Sequence, residues 1–383
     1  MKNNLNDIES ASSDISRRSF LCGALAVAGA AGAAALTGCT SDSDDEDDDG
    51  EDEGSADASG SSDEDDEEEE SAEEEVEEED AELTPITFVL DWTPNTNHTG
   101  VYVAQALGYY EEAGLEVEIV QGPDDGADAI VASGEADFGV SFQDTMANYL
   151  SSGEDALPVT AVAAVIQHNT SGIVSLAEKE IDSPADMCGH TYATWELPIE
   201  QGIIQACVEE DGGDFSEVEL VPSTVTDEVT ALQNDQVDTI WIYWAWAGVK
   251  CDLAELDTNF FNFADIDDVF DFYTPVIIAN NDLIESDPDT VQAFVDATKR
   301  GYEYCISDPD SAAEILLEAA PELDEDLVYA SQEYLADKYQ DDAESWGVID
   351  QTRWDAFFTW VSDEGLAEEF EAGSGMTNDF ISA

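Results

Sequence analysis

Positive charge is nearly missing from this sequence. Nine Lys and Arg face 93 Asp and Glu, a formal net charge of -84. From Leu83 onward only Lys179, Lys250, Lys299, Arg300, Lys338 and Arg353 remain, against 63 acids. A chain so poor in cations cannot replace the counterions of a phosphate backbone, which excludes nucleic acid as a partner. Histidine is equally scarce: His98, His168 and His190 are scattered, without the HExxH spacing of a metalloprotease. Beyond residue 82 the cysteines are Cys188, Cys207, Cys251 and Cys305, with no CxxC pair and no zinc signature. A buried free thiol is the expectation for each. Only one long apolar run exists, Leu21 to Thr37. It is short and rich in Ala and Gly, which argues against a transmembrane helix.

The residues around that run read as an address. Ser16-Arg17-Arg18-Ser19-Phe20-Leu21 has the form of a twin-arginine export signal. Leu36-Thr37-Gly38-Cys39 resembles a lipoprotein processing box, in which Cys39 becomes the lipidated first residue. Residues 1–39 are therefore expected to be a signal, leaving the mature chain on the outer face of the cytoplasmic membrane. Residues 40–82 form an acidic spacer, with 27 acids and no Lys or Arg over 41–82. Such a segment repels itself and buries nothing, so it is expected to be a disordered tether.

About 300 residues follow, enough for two domains with sizeable cores. Their acid excess would push a fold apart at low ionic strength and is screened at molar salt, so it marks a salt-rich habitat. Strand and helix patterns alternate: a strand over Ile86–Leu90, a helix over Thr99–Tyr110 stopped by Gly114, strands at Leu115–Val120 and Phe138–Val140, and a helix between them. This is a βαβαβ order, hence a mostly parallel sheet flanked by helices. The order returns about one hundred residues later, where Val218-Glu219-Leu220-Val221 repeats Val117-Glu118-Ile119-Val120 and Asp238 repeats Asp137. Two α/β lobes joined by crossing strands are expected, the first from 83–174 plus 273–383 and the second from 175–272. The tail is expected to be mostly helical.

Ligands of open parallel sheets sit beyond the carboxyl ends of the strands. The segments there are Asp91–His98, Ser141–Asp144, Thr194–Glu200 and Tyr243–Trp246. Their rings suit a flat heteroaromatic ligand, and a few carboxylates and amides would fix its edge. The candidate contacts are Trp92, Asn97, His98, Ser141, Asp144, Trp195, Glu196, Glu200 and Tyr243. Trp241, inside its strand, reads as core.

Leu90-Asp91-Trp92-Thr93-Pro94-Asn95-Thr96-Asn97-His98-Thr99-Gly100 resembles the signature of the thiamin pyrimidine-precursor binding family, which is related to sulfonate, taurine and nitrate receptors. The likeness runs from about Ile86 to Ser362. It implies the two-lobed periplasmic-binding-protein (type II) architecture and a monomeric receptor serving the permease and ATPase of an ABC importer. The implied ligand is formylaminopyrimidine or hydroxymethylpyrimidine, with riboflavin, another aromatic solute or a sulfonate as alternatives. The family also holds a fungal enzyme that forms the thiamin pyrimidine from pyridoxal phosphate and histidine, using a lysine after the third strand. Here that stretch reads Ser141-Phe142-Gln143-Asp144-Thr145 and offers no amine for a Schiff base. A receptor, with no metal or cofactor, is the expectation.

Overall fold

The computed structural model describes residues 83–123, 126–150 and 156–382. The expected export signal, Cys39 and the acidic spacer lie outside the described residues. No helix among the described residues is long and apolar enough to cross a membrane.

Ten strands follow one another: β1 (Thr84–Leu90), β2 (Leu115–Gln121), β3 (Phe138–Ser141), β4 (Val159–Ala164), β5 (Ser171–Leu176), β6 (Thr191–Thr194), β7 (Glu219–Pro222), β8 (Thr239–Tyr243), β9 (Thr258–Asn262) and β10 (Val276–Asn280). The helices are α1 (Thr99–Ala106), α2 (Tyr109–Glu112), α3 (Asp128–Ser133), α4 (Gln143–Leu150), α5 (Pro198–Glu210), α6 (Glu228–Gln233), α7 (Val249–Leu253), α8 (Asn281–Ser286), α9 (Pro288–Ser307), α10 (Pro309–Ala319), α11 (Glu325–Ala336) and α12 (Gln351–Asp363). The single helix expected over Thr99–Tyr110 is two. Gly108 adopts a left-handed conformation, φ 73°, and breaks the run between α1 and α2.

The strands form two five-stranded sheets, β2-β1-β3-β10-β4 and β7-β6-β8-β5-β9. In each sheet four strands run one way and one runs against them. The reversed strands are β10, antiparallel to β3 and β4, and β5, antiparallel to β8 and β9. Both enter their sheet straight from the other lobe, which is why they point the opposite way. The chain crosses over 165–170 and again over 271–275; the expected limits were 174 and 273. The sequence repeat has a physical counterpart. Asp137 accepts from the Thr87 N–H at 2.8 Å, and Asp238 accepts from the Thr191 N–H at 2.9 Å. Each aspartate thus ties the start of one strand to its parallel neighbour, β3 to β1 and β8 to β6.

The crossings are knotted by charge. Asp271 on the second crossing bonds His168 Nδ1 at 2.7 Å and the Asn169 N–H at 2.8 Å on the first. Arg353 of α12 donates to Asp271 at 2.7 Å and to the Gln167 carbonyl at 2.6 Å, and lies 4.1 Å over the Tyr273 ring. His168 and Arg353 hold the Asp271 carboxyl below its usual range against the effect of burial. Beneath this knot one apolar core runs through both lobes. It joins Val89 and Ala161 to Ile173 and Tyr192 through Phe272, Trp354 and Phe357. The first lobe has a second core, where α1 and α9 meet backbone to backbone. A Cβ on Gly301 would sit 1.9 Å from the Gly100 carbonyl oxygen, so only glycine fits. All four described cysteines are free, three of them buried.

Candidate functional site

The adjacent strands β1 and β3, and likewise β6 and β8, connect to opposite sides of their sheets. In open α/β sheets such a reversal makes the carboxyl ends the expected place of a crevice. The equivalence of the two sheets makes the loop after β1 the counterpart of the loop after β6, and the end of β3 the counterpart of the end of β8. These four ends carry the rings. Trp92, two residues beyond β1, is 52 % exposed, and Trp195, one residue beyond β6, is 42 % exposed. Both therefore leave indole surface free to meet a ligand. Phe142 after β3 stacks on Tyr243 at the end of β8, with centroids 5.9 Å apart and planes at 23°. That contact joins the two lobes across the crevice. Trp195 leans on Trp241 at 5.3 Å.

The polar residues divide into two groups. One group is committed to the scaffold. His98 is fully buried; its Nδ1 accepts from the Asn95 N–H at 3.2 Å, so Nε2 carries the proton and faces Asp91 at 2.7 Å. Ser141 donates to Asp128 at 2.6 Å, beside the Tyr149 hydroxyl at the same distance. Glu200 is 2 % exposed and accepts from the Tyr192 hydroxyl (2.6 Å), the Thr194 hydroxyl (2.9 Å) and the N–H groups of Trp195 (3.2 Å) and Leu197 (3.3 Å). The sequence placed all three in contact with ligand. Their polar atoms bond within the fold: His98 and Glu200 brace the loops that carry Trp92 and Trp195, and Ser141 ties the end of β3 to α3.

The other group is left wanting. Asn97 Oδ1 and Asp144 Oδ1 are buried and have no hydrogen-bond partner among the described residues. Burial pushes the Asp144 carboxyl up to about 6, against the pull of the Thr145 and Asp144 N–H groups at the start of α4. Burial, and next the Asp144 charge, push the Tyr243 phenol well above its ordinary value, so it stays a neutral donor. Glu196 stands exposed on the loop after β6 with φ 63°, its N–H bonded to the Thr194 hydroxyl at 2.9 Å.

Three more unpartnered polar atoms belong to residues the sequence did not offer: Thr274 Oγ1, Ser171 Oγ and Trp241 Nε1. Thr274 lies against Tyr243. Ser171 pairs with Tyr243 in the β5–β8 ladder. Thr274 and Ser171 precede or open the reversed strands β10 and β5. In those strands the amino end, not the carboxyl end, reaches the crevice, and a search of carboxyl ends passes over them.

A cavity of about 1040 Å³ lies elsewhere, beside the crossings, lined by His168, Asp271, Lys338, Asp341, Asp342 and Arg353 among others. His168, Asp341 and Asp342 bring potential metal-ligand atoms within 4.8 Å of one another there, although the sequence shows no metal motif. Both His168 ring nitrogens are already engaged, by Asp271 and by Asp342 at 3.2 Å. The exposed rings and unpartnered acceptors are at the strand ends instead, and they make up the candidate site.

A family model described as NMT1/THI5 like matches residues 95–312. The chain belongs to the NMT1/THI5-like family. Within it, a formylaminopyrimidine-binding protein of Halalkalibacterium halodurans is 30% identical over 298 residues, covering 76% of this chain and 88% of that one. A 4-amino-5-hydroxymethyl-2-methylpyrimidine phosphate synthase of Legionella pneumophila is 27% identical, covering 62% and 74%. Among solved structures, the alkanesulfonate-binding protein SsuA of Xanthomonas axonopodis pv. citri, bound to MOPS, superposes with a TM-score of 0.60 at 12% identity. It covers 78% of this chain and 99% of its own. That likeness establishes the α/β periplasmic-binding-protein fold of this NMT1/THI5-like chain.

Proposed function

We propose that this protein is the extracytoplasmic receptor of an ABC importer and that it binds a thiamin pyrimidine precursor such as formylaminopyrimidine or hydroxymethylpyrimidine. The observation that carries this reading is the meeting of ring-bearing strand ends from two lobes over buried, unpartnered oxygens. A planar heteroaromatic guest would stack on Trp92 and Trp195 and hydrogen-bond to Asn97, Asp144 and Tyr243. Closure about the crossings at 165–170 and 271–275 would trap it, and the closed form would dock on the permease, whose ATPase drives uptake. The name of the Halalkalibacterium halodurans relative supports the ligand class. In this reading the receptor is a monomer, exported by the twin-arginine route and held to the outer face of the cytoplasmic membrane through Cys39.

The synthase names within the family suggest a second reading, an enzyme that consumes pyridoxal phosphate. A Schiff base needs a lysine amine at the site. Lys179 is bound to Asp235 and Asp238, Lys250 to Asp227, Lys299 to the Ser382 carbonyl, and Lys338 lies over the Tyr334 ring. None stands at the strand ends. Calorimetry of the purified chain at high salt, against aminopyrimidines, riboflavin and taurine, tests the receptor reading. Tight binding of an aminopyrimidine without turnover is expected. Binding of riboflavin or taurine alone, or consumption of pyridoxal phosphate, would overturn it.

A further inference from the structure

We infer that Asp144 sets the specificity of this cleft: its free carboxylate oxygen pairs with the amidine edge of a 4-aminopyrimidine, the exocyclic amine beside a ring nitrogen, and the cleft rejects anions, including phosphorylated pyrimidines. The inference rests on the proposed function and deepens it.

Geometry supplies the first argument. Asp144 sits in the first turn of α4, where the N–H groups of residues 144 and 145 partly offset the cost of its buried charge. Its Oδ1 is out of reach of solvent and meets no donor. A buried acceptor left open in this way is costly unless a ligand donor arrives. Near Asp144 stand the neutral Tyr243, with Thr274 beside it, and the like-charged Asp128, so a partner that brings an N–H or a proton to Asp144 is what completes the site. An amidine edge does both. It offers the amine N–H to one oxygen and shares a single proton between its ring nitrogen and the carboxyl, in a paired arrangement like that of a guanidinium. Burial brings the Asp144 carboxyl to about 6, within reach of such a weakly basic nitrogen.

Charge supplies the second argument. Sulfonate, nitrate and phosphate are held by cations or N–H donors. Each cation of the folded part is engaged elsewhere: the four lysines as described, Arg300 with Glu112 at 2.9 Å, and Arg353 with Asp271 at 2.7 Å. Around the strand ends stand Asp91, Asp128, Asp144 and Glu196 instead. The fold is shared with an alkanesulfonate-binding protein, but the charged groups at the strand ends of this chain are acids.

The test is calorimetry on the full chain at high salt, with 4-amino-5-hydroxymethyl-2-methylpyrimidine and its phosphate monoester as probes. Wild type should bind the alcohol and take the phosphate ester at least about a hundredfold more weakly. Asp144→Ala should lose about tenfold to a hundredfold in affinity for the alcohol, the scale of a hydrogen bond to a charged group. Asp144→Asn should restore most of it, because an amide can pair with an amine–ring-nitrogen edge as asparagine does with adenine. It should also narrow the gap to the phosphate ester, since the negative charge is gone. A purely structural role for Asp144 would not move that gap. Equal binding of both probes by wild type, or an Asp144→Ala variant that binds the alcohol like wild type, overturns the inference and leaves the receptor reading standing. A wild type that binds neither probe but does bind riboflavin or taurine overturns both.

Discussion

At the scale of the residue, the site is built from side chains that the fold has not used. Trp92 and Trp195 contribute little to the cores, being 52 % and 42 % exposed. Replacing either by Ala should leave the melting temperature close to wild type and weaken ligand binding by about 1–3 kcal/mol, the range measured for one base stacked on one ring. Calorimetry and a melting curve on the same samples check both halves. Asp144 should behave in the reverse manner. Its folded-state carboxyl titrates at about 6, above the unfolded value near 4, so the native state binds the extra proton between those limits. Stability from this group is therefore lost as pH rises from about 4 to about 6. Asp144→Asn should raise the melting temperature of the ligand-free protein at pH 7.5, and the gain should vanish near pH 4. A variant no more stable than wild type at pH 7.5 would show that the buried charge carries no strain.

The elements explain why part of the site was legible in the sequence and part was not. The loops after β1, β3, β6 and β8 were found because parallel strands announce their carboxyl ends by apolar runs that stop at polar, ring-bearing turns. Within the expected helical tail, α9 starts where Asp287 caps it and Pro288 opens it. β4 and β5 carried no such signal: VTAVAA and SGIVSL mix strand-favouring Val, Thr and Ile with Ala, Ser and Gly. They are held in place by tertiary neighbours. The reversal of β5 and β10 hid Ser171 and Thr274. Nor can residue type tell a carboxylate that meets ligand from one that props a loop. Glu200 is the instructive case, since its four hydrogen bonds bind the end of β6 to the start of α5. Glu200→Ala should cost on the order of 3 kcal/mol, because four donors lose a buried partner. It should also weaken ligand binding by freeing the Trp195 loop. Urea denaturation reads the first effect, and Glu200→Gln should fall between the variant and wild type.

Over the whole molecule, charge and topology act together. With 63 acids and six Lys or Arg from Leu83 onward, self-repulsion opposes folding. The Debye length falls from about 10 Å at about 0.1 M salt to about 3 Å at about 1 M. The melting temperature should rise steeply over that range in sodium or potassium chloride, and most of the rise should come from screening. A chain equally stable at both ends of the range would mean that the acid excess is inert. Arg353 should be less sensitive than the surface, since its bonds to Asp271 and Gln167 are partly buried between the crossings.

One hydroxyl ties these scales together. Ser331 of α11 donates to the carbonyl of Ala245, just past Tyr243, and lies 2.5 Å from the hydroxyl of Thr96, on the turn that follows Trp92. The turn below Trp92 and the segment past Tyr243 thus share one buried hydroxyl, and any parting of the lobes to admit a guest must break one of its two bonds.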